Sequence, residues 1–275
     1  MTNHTISQQE FKLFQDYVYK NVGISLADHK ITLVQGRLSK RLRQLGLDSY
    51  KQYFDYMIND TTGEEEFQLI SAISTNVTQF FRESSQWDYL SESLPAILAT
   101  KKDKTLRIWS AACSSGEEPY TIAMFLHSHI HDFSQWQIKI LATDISKRVL
   151  TKAQSGIYEE KDIQGVPKHM IASYFETRKS GDGKSYQVVQ MLRDLITFRM
   201  FNLVYDSFVG FGHQFDIIFC RNVMIYFDPE TQQKLISNYH KILVEDGILF
   251  VGHSESLTRN KDEFKLLRPS IYQKM

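Results

Sequence analysis

Cysteine is nearly absent from this sequence. Cys113 and Cys220 are the two thiols in 275 residues. That is too few to staple a fold or to build a four-thiolate zinc site. The nine histidines form no spaced ligand set, so no metal site is expected. No apolar run approaches the roughly 18 residues of a membrane span. The start, Met1 to Glu10, lacks a charged segment followed by an apolar one, so no secretory signal is expected. A reduced, cytoplasmic location is the expectation. Asn3-His-Thr and Asn76-Val-Thr match the glycosylation sequon and are read as chance matches. An excess of one charge is also missing: Lys+Arg and Asp+Glu are both 32. A protein living on nucleic acid usually carries a basic excess, so any basic patch here must be local. What is present is ordinary globular composition, 42% hydrophobic and 23% charged, which excludes a disordered chain.

Two styles of sequence follow one another. Residues 7 to about 94 read as helices with short polar connections. Ser7 is placed to cap a helix carrying Phe11, Phe14, Val18 and Val22 and ending at Gly23. From Asp28 onward, Ile31, Val34, Leu38, Leu42 and Leu45 recur at helical steps, with Gly46 as a stop. Tyr50, Phe54 and Ile58 continue the pattern, and Glu64 to Ile73 gives a further helix. After Pro95 the period changes. Leu106–Cys113, Trp136–Ala142, Phe215–Cys220 and Gly247–Val251 read as strands alternating with helices. That alternation predicts an α/β class, with a doubly wound parallel sheet following a small helical domain. The stretch 165–200 breaks the rhythm. Ser185–Leu192 and Leu195–Phe201 look strand-like, so a small antiparallel β-subdomain is expected as an insertion there. The expected domains are 1–75 (helical), 76–94 (a linker that also contributes to the ligand site) and 95–275 (sheet).

In a doubly wound fold, ligands sit at the carboxyl ends of the strands. The first such turn is Ser110-Ala-Ala-Cys-Ser-Ser-Gly-Glu-Glu-Pro-Tyr120. It lacks the G-x-G-x-x-G dinucleotide fingerprint, and it opens its helix with Glu117 and Glu118. Carboxylates there would repel a pyrophosphate and suit a ligand bearing an ammonium group. The bland alternative is that they complement the helix dipole. Asp144 ends the second strand, roughly 30 residues after the turn's start, near the position of a ribose-binding acid. A turn-capping role is its alternative. In the same way, Phe80-Phe-Arg-Glu83 reads either as a linker packing aromatics or as part of a site. Arg221 and Asn222 follow the third clear strand at its carboxyl end.

These motifs together resemble the chemotaxis receptor methyltransferases of the CheR type. The marks are T-N-x-T-x-F-F-R-E at 75–83, S-A-A-C-S-S-G-E-E-P-Y at 110–120, A-T-D-I at 142–145, F-N-L at 201–203, F-C-R-N-V-M-I-Y-F-D at 219–228 and L-F-x-G-H-S-E at 249–255. The resemblance covers nearly the whole chain. It implies methyl transfer from S-adenosyl-L-methionine to glutamate side chains of chemoreceptor signalling helices, with S-adenosyl-L-homocysteine as product. It also implies that Asn76, Thr78, Arg82 and Glu118 hold the methionine end of the cofactor. By the same resemblance Asp144 takes the ribose, Asn202 and Leu203 flank the adenine, and Arg221 and Asn222 complete the site. Arg82 and Tyr226 are the implied residues of the reaction centre.

The chemistry agrees with what the sequence lacks. A glutamate carboxylate has an unperturbed pKa near ~4.3 and is already a nucleophile at neutral pH. Attack on a sulfonium methyl needs no general base, metal or covalent enzyme intermediate, so the missing Ser/His/Asp and Cys/His sets are no obstacle. A basic arc of Lys30, Arg37 and Arg41, with Lys40 and Arg43 further round, lies on the expected helix 28–45, where no acid occurs between Asp28 and Asp48. It reads as a solvated face or as a dock for acidic receptor helices. Two other classes are weighed: a nucleic-acid methyltransferase using that arc, and a non-catalytic cofactor-binding signalling module. Expected partners are chemoreceptor helices, with a receptor tail peptide at the inserted subdomain as an open use. Neither nucleic acid nor membrane insertion is expected, and a monomer is. The two cysteines should be neighbours without a disulfide, because the strands they end are adjacent at the switch point.

Overall fold

The computed structural model describes residues 5–74, 78–180, 183–257, 260 and 262–275. The chain divides into two compact units, Met1–Val77 with Tyr226–Thr231, and Thr78–Ile225 with Gln232–Met275.

The first unit contains α1 (Gln8–Val22), α2 (Ile31–Leu45), α3 (Tyr50–Ile58) and α4 (Glu64–Ile73). Ser7 and Glu10 form a reciprocal cap. Ser7 Oγ accepts from the Glu10 N–H at 3.2 Å, and Glu10 Oε2 accepts from the Ser7 N–H at 2.9 Å. A cap of this kind is worth about 1 kcal/mol. Gly23 ends α1 at φ 80°, the left-handed conformation that returns its N–H to the Tyr19 and Val18 carbonyls. The predicted stripe is the buried one: Phe11, Phe14, Val18 and Val22 on α1, and Val34, Leu38 and Leu42 on α2.

The second unit opens with α5 (Ser84–Ala99) and then alternates: β1 (Thr105–Ala111), α6 (Glu117–His129), β2 (Gln137–Asp144), α7 (Lys147–Ser155). There follow β3 (Ile157–Glu159), α8 (Lys168–Tyr174), β4 (Phe175–Ser180), β5 (Gly183–Val188), α9 (Gln190–Arg193) and β6 (Ile196–Met200). The chain closes with β7 (Phe215–Cys220), α10 (Pro229–Ile242), β8 (Leu243–Val251), β9 (Phe264–Arg268) and β10 (Ile271–Lys274). The main sheet has seven strands in the order β6-β2-β1-β7-β8-β10-β9. The strands β6, β2, β1, β7 and β8 are parallel, and β10 is antiparallel to both its neighbours. Every residue of β7 is buried, as expected for a strand covered on both faces. On one face, Trp109 is fully buried among Phe201, Phe208, Phe211, Phe215 and Tyr239, and its Nε1–H donates to Thr143 Oγ1 at 3.0 Å.

Three expectations need correction. The stretch 76–94 is not mainly a linker: from Ser84 it is α5, which runs through Pro95 to Ala99 and packs Trp87, Leu90 and Leu94 into the second unit's core. The insertion is real, but its antiparallel sheet is β3-β5-β4, spanning residues 157–188 rather than 165–200. Leu195–Phe201 instead supplies β6, parallel to β2 at the edge of the main sheet. Finally, Tyr226–Thr231 groups with the helical unit, where the Tyr226 carbonyl accepts from the Ser25 N–H at 2.8 Å.

Candidate cofactor site

β1, β2 and β7 end together. Ala111 pairs with Thr143 on one side and with Cys220 on the other, so the turns that follow converge at the middle of the sheet. Both cysteines are buried and free. The thiol of Cys113 is pushed up by burial and by the Asp144 and Glu118 charges.

Adjacent acids on the first turn of α6 have different surroundings. Ser115 Oγ lies within hydrogen-bond reach of both Glu117 oxygens, at 2.9 and 2.8 Å, and Glu117 is buried. Glu118 points the other way. Its Oε1 accepts from Ser110 Oγ at 2.7 Å, and its Oε2 lies 3.0 Å from Arg221 Nε. Burial pushes the Glu118 carboxyl up, and the Arg221 charge beside it only partly offsets that. The Arg221 guanidinium also donates through Nη1 to the Arg82 carbonyl at 3.0 Å and to Gln86 Oε1 at 3.1 Å. It lies over the Trp87 ring, 5.9 Å from the centroid. Glu83 Oε2 lies 3.9 Å from Arg221 Nε, and among the described residues this buried oxygen has no hydrogen-bond partner.

Asp144 sits where the sequence put it. Oδ2 accepts from the Ser114 N–H at 2.9 Å and Oδ1 from the Ser146 N–H at 3.0 Å. Burial raises its pKa, and these backbone donors pull it back. The Asp144 carbonyl accepts from the Phe201 N–H at 3.1 Å, which sets Asn202 and Leu203 beside the end of β2. Leu203 is buried. Asn202 Oδ1 accepts from the Val204 N–H at 2.9 Å, a local turn contact. Thr78 is half-buried, Arg82 contributes its carbonyl as above, and Asn76 lies outside the described residues.

The backbone is strained here. Phe81, Glu83, Ala112, Ser114 and Asn222 all have φ between 50° and 68°, in the left-handed region that costs side chains energy. Gly116, at φ 97°, is a glycine for a reason other than ligand approach. A Cβ there would meet the Tyr158 hydroxyl at 2.8 Å and the Ala153 Cβ at 2.9 Å. Tyr158, on β3 of the small sheet, donates to the Ser115 carbonyl at 2.8 Å. Sequence reasoning missed Tyr158, Gln86 and Glu83 as site supports, although Glu83 stood inside a recognised motif. It also left Glu255 unassigned in L-F-x-G-H-S-E.

The residues expected to dock a receptor belong to the helical unit. Arg41 Nε donates to Glu65 Oε2 at 3.0 Å, and its Nη2 is paired with Glu65 Oε1. Arg37 Nη1 donates to the Ala72 and Ser74 carbonyls at 2.9 and 3.3 Å. Lys40 is exposed and Lys30 half-buried. Among the described residues no group of three His, Cys, Asp or Glu is placed to hold a metal, and no helix is long and apolar enough to cross a membrane.

A doubly wound sheet with an acid ending β2, and with carboxylates rather than a glycine cradle at the β1 turn, fits a nucleoside cofactor carrying an ammonium. The orphaned Glu83 oxygen and the under-compensated Glu118 carboxyl fit that ammonium as well. This is the class of S-adenosylmethionine-binding α/β proteins. Residues 76–272 match the family described as CheR methyltransferase, SAM binding domain, and residues 9–74 match its all-alpha domain. The chain belongs to the CheR methyltransferase family. It is similar to the chemotaxis protein methyltransferase of Borreliella burgdorferi, at 39% identity over 99% of this chain and 96% of that protein. Chemotaxis protein methyltransferase 2 of Vibrio cholerae is 36% identical over 98% of this chain and 92% of that protein. The Escherichia coli chemotaxis protein methyltransferase is 36% identical over 97% of this chain and 91% of its own length.

Proposed function

We propose that this protein transfers a methyl group to glutamate side chains on the cytoplasmic signalling helices of chemoreceptors, giving glutamyl methyl esters. The observation that carries the reading is the Glu83, Glu118 and Arg221 cluster at the ends of β1 and β7, where burial outweighs the Arg221 and Arg82 charges at Glu118 and, among the described residues, Glu83 Oε2 has no hydrogen-bond partner. When bound, S-adenosylmethionine supplies an electrophilic sulfonium methyl and, after transfer, a neutral thioether leaving group. Glu118 and Glu83 would hold its ammonium, with Arg221 keeping the two carboxylates in place. Asp144 would accept the ribose hydroxyls through lone pairs left beside its two backbone donors. Thr78, Arg82 and Asn222 would complete the methionine end together with Asn76, and Asn202 and Leu203 would flank the adenine.

The substrate carboxylate is ionised at neutral pH. The protein's task is therefore alignment of the attacking oxygen with the methyl and exclusion of water. Tyr226 would hold one carboxylate oxygen while the other attacks, with Arg82 sharing in orientation. The exposed Arg37 and Lys40 of α2, with the half-buried Lys30 just before it, would meet the acidic receptor helices. Arg41 is largely committed to Glu65 and lends mainly its charge. A cytoplasmic monomer is the proposed working form.

The test is transfer of labelled methyl from the cofactor to receptor-containing membranes. Base-labile label on receptor, lost when the candidate glutamates are replaced by alanine, supports the reading. RNase-sensitive label, or cofactor binding without turnover, overturns it.

A further inference from the structure

We infer that Glu255 is a positioning residue of the cofactor site, acting through Asn222. This inference rests on the reading of Asn222 as a cofactor residue. Glu255 follows β8, yet its carboxylate is used by the turn after β7. Oε2 accepts from the Asn222 N–H at 2.9 Å and from the Gly252 N–H at 2.5 Å, and Oε1 accepts from the Ile225 N–H at 3.3 Å. One buried side chain thus ties together the two loops that leave neighbouring parallel strands.

The tie is needed because of the conformation it holds. Asn222 has φ 58°, a left-handed geometry that asparagine takes more readily than most side chains, and the Glu255 contact fixes it there. Its N–H is pinned by Glu255, and its Nδ2 reaches Glu83 Oε1 at 3.5 Å. Gly252 makes the opposite side of the seat: a Cβ there would collide with the Asn222 amide group and backbone nitrogen. Glu83 Oε1 also accepts from the His253 N–H at 3.1 Å, so the second carboxylate beside Arg221 is tied to the same β8 loop. Burial pushes the Glu255 carboxyl up, and the backbone donors from Gly252, Asn222 and Ile225 pull it back. A carboxylate kept inside for backbone donors alone is a costly arrangement unless the loop geometry it fixes is used.

Calorimetric titration of the whole protein with S-adenosylhomocysteine, paired with thermal midpoints, tests this. Asn222→Ala establishes the reference loss of affinity. Glu255→Gln keeps one oxygen for the shared Asn222 and Gly252 donors and sets an amide against the Ile225 N–H. It should weaken binding about tenfold, and Glu255→Ala should weaken it further. Gly252→Ala, whose φ is not in the left-handed region, tests the seat without touching the carboxylate. It should weaken binding and be non-additive with Asn222→Ala. The KM for cofactor should rise with these losses while the KM for receptor stays level. Parent affinity in Glu255→Gln and Gly252→Ala beside a weakened Asn222→Ala overturns the positioning role alone. Parent affinity in Asn222→Ala overturns the reading of that residue as a cofactor ligand, and the positioning role with it.

Discussion

Among the described residues, Arg41 and Arg221 each face largely buried acids, and the two arrangements are built differently. In the helical unit, Arg41 meets Glu65 fork to fork, and no oxygen of Glu65 is left without a donor. At the carboxyl end of the parallel sheet, Arg221 is shared between Glu118 and Glu83. Among the described residues one carboxylate oxygen has no hydrogen-bond partner, and several nearby residues sit in left-handed backbone. The first arrangement is closed and serves packing. Among the described residues the second leaves an acceptor unused, the arrangement expected where a ligand is to bind.

Replacement of Arg221 should break this contrast most severely. Arg221→Ala leaves the largely buried carboxylates of Glu83 and Glu118 without their nearest described cation, a loss of about 3–5 kcal/mol by analogy with other broken buried pairs. Calorimetry should detect no S-adenosylhomocysteine binding in the concentration range that saturates the parent. Arg41→Ala should cost up to about 3 kcal/mol, less than a fully buried pair because Arg41 is 25% exposed. That loss should appear in denaturant unfolding of the helical unit and leave cofactor affinity unchanged.

Asp144→Ala removes an acceptor rather than a charge cluster. Its expected cost is about 1.5–3 kcal/mol of cofactor affinity for each charge-assisted bond lost, with the circular dichroism spectrum unaltered.

A smaller effect sharpens the comparison through pH. Burial raises the Glu118 carboxyl above its ordinary 4.5 in the free protein, against the pull of Arg221. A bound ammonium favours the ionised form and lowers that pKa. Affinity should therefore weaken as pH falls through the raised free-protein value and be level well above it. Glu118→Gln should reduce the slope as well as the affinity, and an unchanged slope would remove Glu118 from the ammonium site. The smallest effect is expected from Lys40→Glu on the exposed side of α2. It should raise the KM for receptor a few-fold at low salt and less at physiological ionic strength, where charges more than about 8 Å apart are screened.

The helical unit was almost fully legible, because its capping residues and apolar stripes are local signals, as at Ser7, Gly23 and Val34 to Leu42. The parallel strands were legible as apolar runs for the same reason. Pairing was not. Leu195–Phe201 reads as a strand, but nothing local says that Ile196 pairs with Ile140 in parallel rather than with the insertion. Pro95 read as a boundary because it cannot donate within a helix, yet Leu94 and Leu90 bury enough surface to carry α5 through it. Arg37 and Arg41 read as one open basic face. Their partners lie at the far end of the unit's sequence, and the acidic run Glu64-Glu65-Glu66 was the one signal that could have revealed the pair. The places of Asp144 and Glu118 were legible because a strand end and a helix start fix them. Glu255 was not, since its partners are backbone N–H groups that carry no sequence signature.

The hydroxyl of Tyr158 on the Ser115 carbonyl has a kinetic consequence. The turn after β1 is among the first parts of the second unit to leave the ribosome, but its anchor arrives 43 residues later, on a strand that must first pair with β5. Closing a loop of that length costs chain entropy before any contact repays it, so the turn should mature after the strand it follows. During refolding, pulse-labelled amide exchange should show protection at Ile108 preceding protection at Gly116, and Tyr158→Phe should widen the interval between them.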